Sequence, residues 1–167
     1  MNDTYPSGVG PATAAKDDEF LPPHAQDCLG CGPDNPHGHH LQARRSGEGV
    51  DAQHVFDKRH VGAPGIAHGG AVATVVDDLF GFLLYVVGEL AVTRNLNVEY
   101  LAPVRLGVPY QCQAELAQRE RRKLFMNARV KDQGGLVVVT ARALFLTVDV
   151  AHFGDEGAAT FDMLRRR

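Results

Sequence analysis

Apolar positions crowd residues 70–87, interrupted only by Thr74, the pair Asp77-Asp78 and Tyr85, and the run contains no proline. Such a stretch predicts one long helix buried on most of its sides. After Gly88 the chain changes character, and residues 91–100, 108–118, 124–131 and 136–148 each read as strands. Their connections are short, which favours an antiparallel meander. Upstream, residues 41–45 and 50–56 form a predicted hairpin turned at Ser46-Gly47-Glu48-Gly49, and a loop over 57–67 with Gly62, Pro64 and Gly65 leads into the helix. One long apolar helix beside a strongly curved antiparallel sheet is an α+β architecture, with the helix lying in the hollow of the sheet.

A length of 167 residues suits one domain with a real core. That domain is expected over 27–149. It follows an arm at 1–26, rich in Gly, Pro, Ala and acidic residues and anchored by Phe20 and Leu21, and precedes an extension at 150–167. A net charge of −3 with 44% hydrophobic residues marks neither a nucleic-acid binder nor a membrane-surface protein, so a small-molecule partner is the expectation. The two aspartates interrupt the longest apolar run, and the N-terminus carries no basic region followed by an apolar one. Cys28, Cys31 and Cys112 are an odd set, unlike a secreted disulfide framework. A cytoplasmic location is expected on these grounds.

Two carboxylates within an apolar helix need a reason, because a buried charge costs several kcal/mol unless paired or used. The preceding Ala67-His68-Gly69-Gly70 adds a second clue, since bare N–H groups at a helix start bind negative charge. Together they suggest an oxyanion site and a general base. On a helix, Asp77 shares its strip with Gly70, Ala73, Gly81 and Leu84, mainly small side chains that leave room for a ligand or a partner backbone. Asp78 points about 100° away, toward Thr74 and Tyr85, where a hydrogen bond or an intersubunit contact is open to it.

The helix entry His68-Gly69-Gly70, the acid nine residues after that histidine, and the run Thr93-Arg94-Asn95-Leu96-Asn97-Val98-Glu99-Tyr100-Leu101-Ala102-Pro103 together resemble hotdog-fold acyl-CoA thioesterases of the phenylacetate-pathway (PaaI) type. The resemblance extends over residues 28–148. It implies a hydrolase that cleaves an acyl-CoA to free acid and coenzyme A. The Gly69 amide would be the oxyanion donor, Gly70 would close the turn, and Asp77 would act as base or nucleophile. Thr93 would hold the acid or the attacking water. Gly69 and Asp77 lie about 12 Å apart along one helix, too far to act on one carbonyl. Two chains are therefore expected to share each site, in a homodimer or homotetramer.

His68 either orients the carbonyl or fixes the turn through a backbone hydrogen bond, and His60 is a candidate for the pocket lining. Where relatives often carry an Asn near the carbonyl, this chain has Gly62. Arg119, Arg121, Arg122 and Lys123 offer either a site for coenzyme A phosphates or a solvated hairpin turn. Cys28-Leu29-Gly30-Cys31 supplies two zinc-type ligands, with His37, His39 and His40 nearby, but the spacing fits no standard finger. A similar segment in some thioesterases of this group looks like a packed turn, and that is the expectation here. No metal and no cofactor are expected, coenzyme A entering only as part of the substrate.

Two other readings are an acyl-CoA-binding sensor without turnover and a hotdog enoyl-CoA hydratase. The hydratase pattern D-x-x-x-x-H is absent, because Gly62 stands five residues after Asp57.

Overall fold

The Gly47-Glu48 turn folds β1 (Ala43–Ser46) back onto β2 (Gly49–Val55), with Ser46 opposite Gly49, in the computed structural model, which describes residues 18–155 and 157. Gly47 takes φ +58°, a left-handed conformation that favours glycine. A small ladder of β3 (Val61–Ala63) and β4 (Ile66–Ala67) then delivers the chain to α1 (Gly69–Val87). The helix stops at Gly88, whose φ of +75° allows its N–H to donate to the Leu84 carbonyl at 2.8 Å.

Four long strands follow: β5 (Ala91–Tyr100), β6 (Pro109–Glu120), β7 (Lys123–Lys131) and β8 (Val137–Thr147). The large sheet runs β1-β2-β6-β7-β8-β5, every pair antiparallel. The expected meander is β6-β7-β8, while β5, first of the four in the chain, returns to the far edge beside β8. Ala114, Ala128 and Ala141 lie in register across β6, β7 and β8 and are buried, so the middle of the inner face is low enough for a helix to approach.

Val72, Val75, Val76, Leu79, Phe80 and Leu83 recur at helical spacing and form the stripe that α1 buries. Phe82 lies off that stripe yet is also buried, because the segment before β1 crosses the opposite side of the helix and sets the His24 ring 4.6 Å from it. By length and composition α1, with Asp77 and Asp78 in its middle, is long and apolar enough to cross a membrane. Here one stripe of it is buried against the sheet, and His24 and Gly30 of the N-terminal segment pack on another side.

Of the N-terminal arm, residues 1–17 lie outside the described part. Its two anchors behave differently: Leu21 is buried and its N–H donates to the Ala43 carbonyl, whereas Phe20 stays exposed under the Arg44 guanidinium.

Candidate active site

β5 carries a bulge. Thr93 faces Phe145 and Asn95 faces Leu144, leaving Arg94 unpaired, so the side-chain alternation slips by one. Ala91 and Thr93 before the bulge therefore share a face with Leu96, Val98 and Tyr100 after it. That face looks toward α1, where Thr93 Oγ1 donates to Asp77 Oδ1 at 2.9 Å and the Tyr100 hydroxyl donates to the Gly69 carbonyl. Burial pushes the half-buried Asp77 carboxyl above the usual carboxylate range, and the Thr93 hydrogen bond draws it partly back.

Gly70, Ala73, Thr74 and Asp77 form one wall of a cavity of about 470 Å³, closed by Thr93 and Leu96 from β5 and by Cys28, Leu29, Gly30 and Asp78. The strip of small side chains around Asp77 is thus open to a ligand, with one exception. At Gly81 the space is filled by the His24 ring, which a Cβ there would meet at 2.8 Å.

At the helix start the His68 side chain is the N-cap, its Nδ1 accepting from the Gly70 N–H at 2.9 Å. Of the two roles open to His68, fixing the turn is the one this geometry displays. With the Gly70 amide engaged by His68 Nδ1 and the Val72 amide by the His68 carbonyl, the Gly69 and Ala71 N–H groups are the helix-start donors without an acceptor among the described residues. Gly62 packs against this turn so closely that a Cβ there would lie 2.6 Å from the His68 Cα. No asparagine could occupy that position without moving the helix start.

His60 does not line the cavity. Its ring is buried and stacked on His39 with centroids 3.8 Å apart, in a cluster completed by His54 and Phe56, while its carbonyl accepts from the His68 N–H at 2.8 Å. It supports the turn through its backbone. Burial, reinforced by neighbouring histidines, lowers both His39 and His54 to about 4.

The basic cluster sits at the β6–β7 turn. Arg119 pairs with Glu89 Oε1 at 2.5 Å and the Arg122 guanidinium donates to the Thr147 carbonyl at 2.9–3.1 Å, so both have structural work. Arg121, at φ +53°, and Lys123 are exposed, and no partner meets either among the described residues.

Asp78, on the other flank of α1, meets His24, with Nδ1 3.0 Å from Oδ1, and Cys28, whose Sγ donates to Oδ1 at 3.4 Å. The hydrogen-bonding role open to Asp78 is therefore filled, and by a residue that sequence reasoning missed. His24 lies in a Gly- and Pro-rich arm where no periodicity flags it. Of the histidines considered beside the cysteines, His37 and His40 are exposed and His39 belongs to the buried ring cluster.

The thioesterase superfamily profile matches residues 64–139. The chain is 35% identical over 89 residues to acyl-coenzyme A thioesterase THEM4 of Rattus norvegicus, a match covering 53% of this chain and 38% of that protein. It thus spans less than two fifths of the length of that curated relative. Among solved structures, a thioesterase superfamily protein aligns with a TM-score of 0.69 at 24% identity, covering 72% of this chain and 60% of the other. A hypothetical thioesterase of Streptococcus pneumoniae, solved with coenzyme A, aligns with a TM-score of 0.61 at 20% identity over 65% of this chain and 85% of its own. Aspartate-to-alanine and threonine-to-alanine variants of a hypothetical thioesterase from the same organism, the two positions 16 apart, have also been solved. The fold is the hotdog fold.

Proposed function

We propose that this chain, which matches the thioesterase superfamily over residues 64–139 and has the hotdog fold, is an acyl-CoA thioesterase that works as a dimer or larger homo-oligomer. The observation that carries this reading is Asp77, a half-buried carboxylate fixed by Thr93 in the wall of a cavity large enough for an acyl group. The acyl-CoA thioesterase relatives support the substrate class. The 16-residue interval between Asp77 and Thr93 equals that between the aspartate and threonine replaced in the streptococcal variants.

The Gly69 N–H of one protomer would hold the thioester oxygen as it becomes an oxyanion, where one such donor is typically worth about 3–4 kcal/mol. A second protomer would present Asp77. Acting as base, Asp77 takes a proton from water; the resulting hydroxide attacks the carbonyl and the carbon–sulfur bond breaks, leaving coenzyme A as thiolate. Acting as nucleophile, it forms a mixed anhydride that water then opens. Exposed Val61 and Leu101, with exposed Tyr100 whose hydroxyl reaches the Gly69 carbonyl, would supply apolar surface for pairing. Arg121 and Lys123 are the residues of the basic turn left to receive coenzyme A phosphates.

Release of free thiol from a panel of short-chain, medium-chain, long-chain and aryl acyl-CoAs tests the proposal. Asp77→Asn is expected to cut turnover by about 10²–10⁴-fold with the fold retained. Binding of acyl-CoA without thiol release from any member of the panel would replace this reading with that of a sensor.

A further inference from the structure

Four side chains of ligating type converge beside α1, where Cys28 and Asp78 border the cavity. His24 Nδ1 lies 3.0 Å from Asp78 Oδ1 and 3.1 Å from Cys31 Sγ, and Cys28 Sγ lies 3.4 Å from Asp78 Oδ1. One ligating atom from each of the four falls within 4.8 Å of all the others. A single ring nitrogen has one lone pair or one hydrogen, so it cannot fully satisfy both the carboxylate and the sulfur. Convergence of a nitrogen, an oxygen and two sulfurs on one point is the arrangement of ligands around a cation. Zinc bonds of about 2.0–2.3 Å in a tetrahedron place ligand atoms about 3.3–3.8 Å apart, so the pairs at 3.0, 3.1 and 3.4 Å would open slightly and the widest, within 4.8 Å, would draw in.

The surroundings are built around this point. A Cβ at Gly30 would lie 2.2 Å from Asp78 Cγ, one at Gly81 would press on the His24 ring, and one at Gly32 would lie 2.3 Å from the Cys28 backbone nitrogen. Three glycines thus let the Cys28–Cys31 turn and the histidine close on the aspartate. The His24 backbone N–H donates to Cys31 Sγ at 3.2 Å, a contact suited to a thiolate, and the His24 ring stacks on Tyr85. His24 Nε2 and Asp78 Oδ2 are buried with no partner, polar capacity that hydrogen bonds within the cluster leave unused.

We infer that His24, Cys28, Cys31 and Asp78 bind a thiophilic divalent cation, zinc foremost, as a structural site that clasps the N-terminal segment onto α1. The paired sulfurs select against magnesium and calcium, which take oxygen ligands. Four protein ligands complete a tetrahedron and leave no position for a reacting water, so the metal takes no part in hydrolysis. Its effect on the neighbouring cavity is architectural: Cys28, Gly30 and Asp78 belong both to the clasp and to the cavity wall. The expectations of a merely packed turn and of no metal give way to this assignment, which stands whether or not the chain hydrolyses thioesters.

The test is metal analysis of the full chain purified without chelator, expected to contain about one zinc per chain. After chelation, titration with cobalt(II) should produce sulfur-to-cobalt charge-transfer bands and the intense visible bands of a tetrahedral ion. Cys112, buried in the sheet, is the control, and Cys112→Ser should leave the spectrum unchanged. The double variant Cys28→Ser, Cys31→Ser should lose the charge-transfer bands, and His24→Gln should weaken metal retention at least tenfold. If these variants fail to fold, the wild-type cobalt spectrum decides alone. A folded wild-type chain that neither retains zinc nor shows cobalt–sulfur charge transfer overturns the proposal, as does full metal binding by the double variant.

Discussion

Asp77 and Asp78 are adjacent in sequence, yet their carboxylates engage different elements: Asp77 accepts from Thr93 on β5, whereas Asp78 lies 3.0 Å from His24 in the N-terminal segment. A step of about 100° per residue produces this separation. Both acids border the one cavity, Asp77 held by a single positioning hydrogen bond and Asp78 engaged by a histidine and a cysteine.

Thr93 donates the hydrogen bond that holds Asp77, and in the proposed mechanism it positions that carboxylate. Losing a hydrogen bond to a charged acceptor costs about 1.5–3 kcal/mol, which corresponds to roughly 10–100-fold in rate if the carboxylate loses its aim. Thr93→Ala is therefore expected to lower kcat by that factor with KM little changed, and Thr93→Ser to restore most of it. Steady-state kinetics on the best acyl-CoA substrate make the comparison. A Thr93→Ala enzyme as fast as wild type would remove Thr93 from the site.

His39 and His54 predict an acid-sensitive fold. Both drop from an ordinary 6.5 to about 4 in the folded chain, so near neutral pH they are uncharged in both states and contribute no pH dependence. As pH falls below 6.5 the unfolded chain takes up protons that the folded chain refuses, and stability falls with pH until the folded-state value near 4 is reached. Each pH unit of that window is worth up to 1.36 kcal/mol per histidine, so His54 alone contributes about 3 kcal/mol of acid sensitivity. Urea melts between pH 7 and 4 should show a shallower decline for His54→Leu than for wild type. Acid also releases metal from thiolates, and the comparison with the variant separates that background from the histidine effect.

Helix and strands were legible because α1 and β5 to β8 carry strong periodic patterns, and their ends fall within a residue or two of the expected ones. Asp77 and Gly69 could be read because a charge in an apolar helix and a bare helix start are anomalies of sequence. The bulge at Arg94 was not legible. It depends on the register with β8, which periodicity cannot count, and Thr93 reaches Asp77 on the same face as Leu96 only because of it. His60 resembled a pocket residue by its place in the loop, but its ring turns toward His39 because burial against aromatic faces outweighs exposure. His24 joins Asp78 across 54 positions of chain, a contact that no local pattern announces.

Gly62→Ala tests how tightly the loop holds the helix start. The added methyl would lie 2.6 Å from the His68 Cα and 3.0 Å from its nitrogen, both backbone atoms that no rotamer change can move aside. Overpacking of this kind costs about 1–3 kcal/mol. The variant should melt several degrees below wild type and lose activity beyond what its folded fraction explains, because the Gly69 amide moves with His68. Gly65→Ala, where a Cβ meets nothing within 4 Å but φ is +73°, is the strain-only control and should cost stability without that extra loss of activity.

The proposed sharing of each site between two chains would make activity depend on assembly, and Leu101 is the place to break it. Leu101 is 58% exposed and follows Tyr100, whose hydroxyl reaches the helix start, while Val61, 50% exposed, lies beside Gly62 on the other side of the same turn. Exposed apolar side chains around a proposed half-site form surface that a partner would cover. Leu101→Asp places a charge in that surface while leaving Asp77, Thr93 and Gly69 untouched, and an unpaired charge in a dry interface is strongly unfavourable. Light scattering should show wild type as at least a dimer and the variant as a folded monomer, with thiol release falling in proportion to the dimer lost. If each active unit is built from two chains, wild-type activity per chain falls on dilution below the dimer dissociation constant, whereas a site built within one chain would show no such dependence. A monomeric Leu101→Asp chain with full turnover would mean that Gly69 and Asp77 do not act together across an interface.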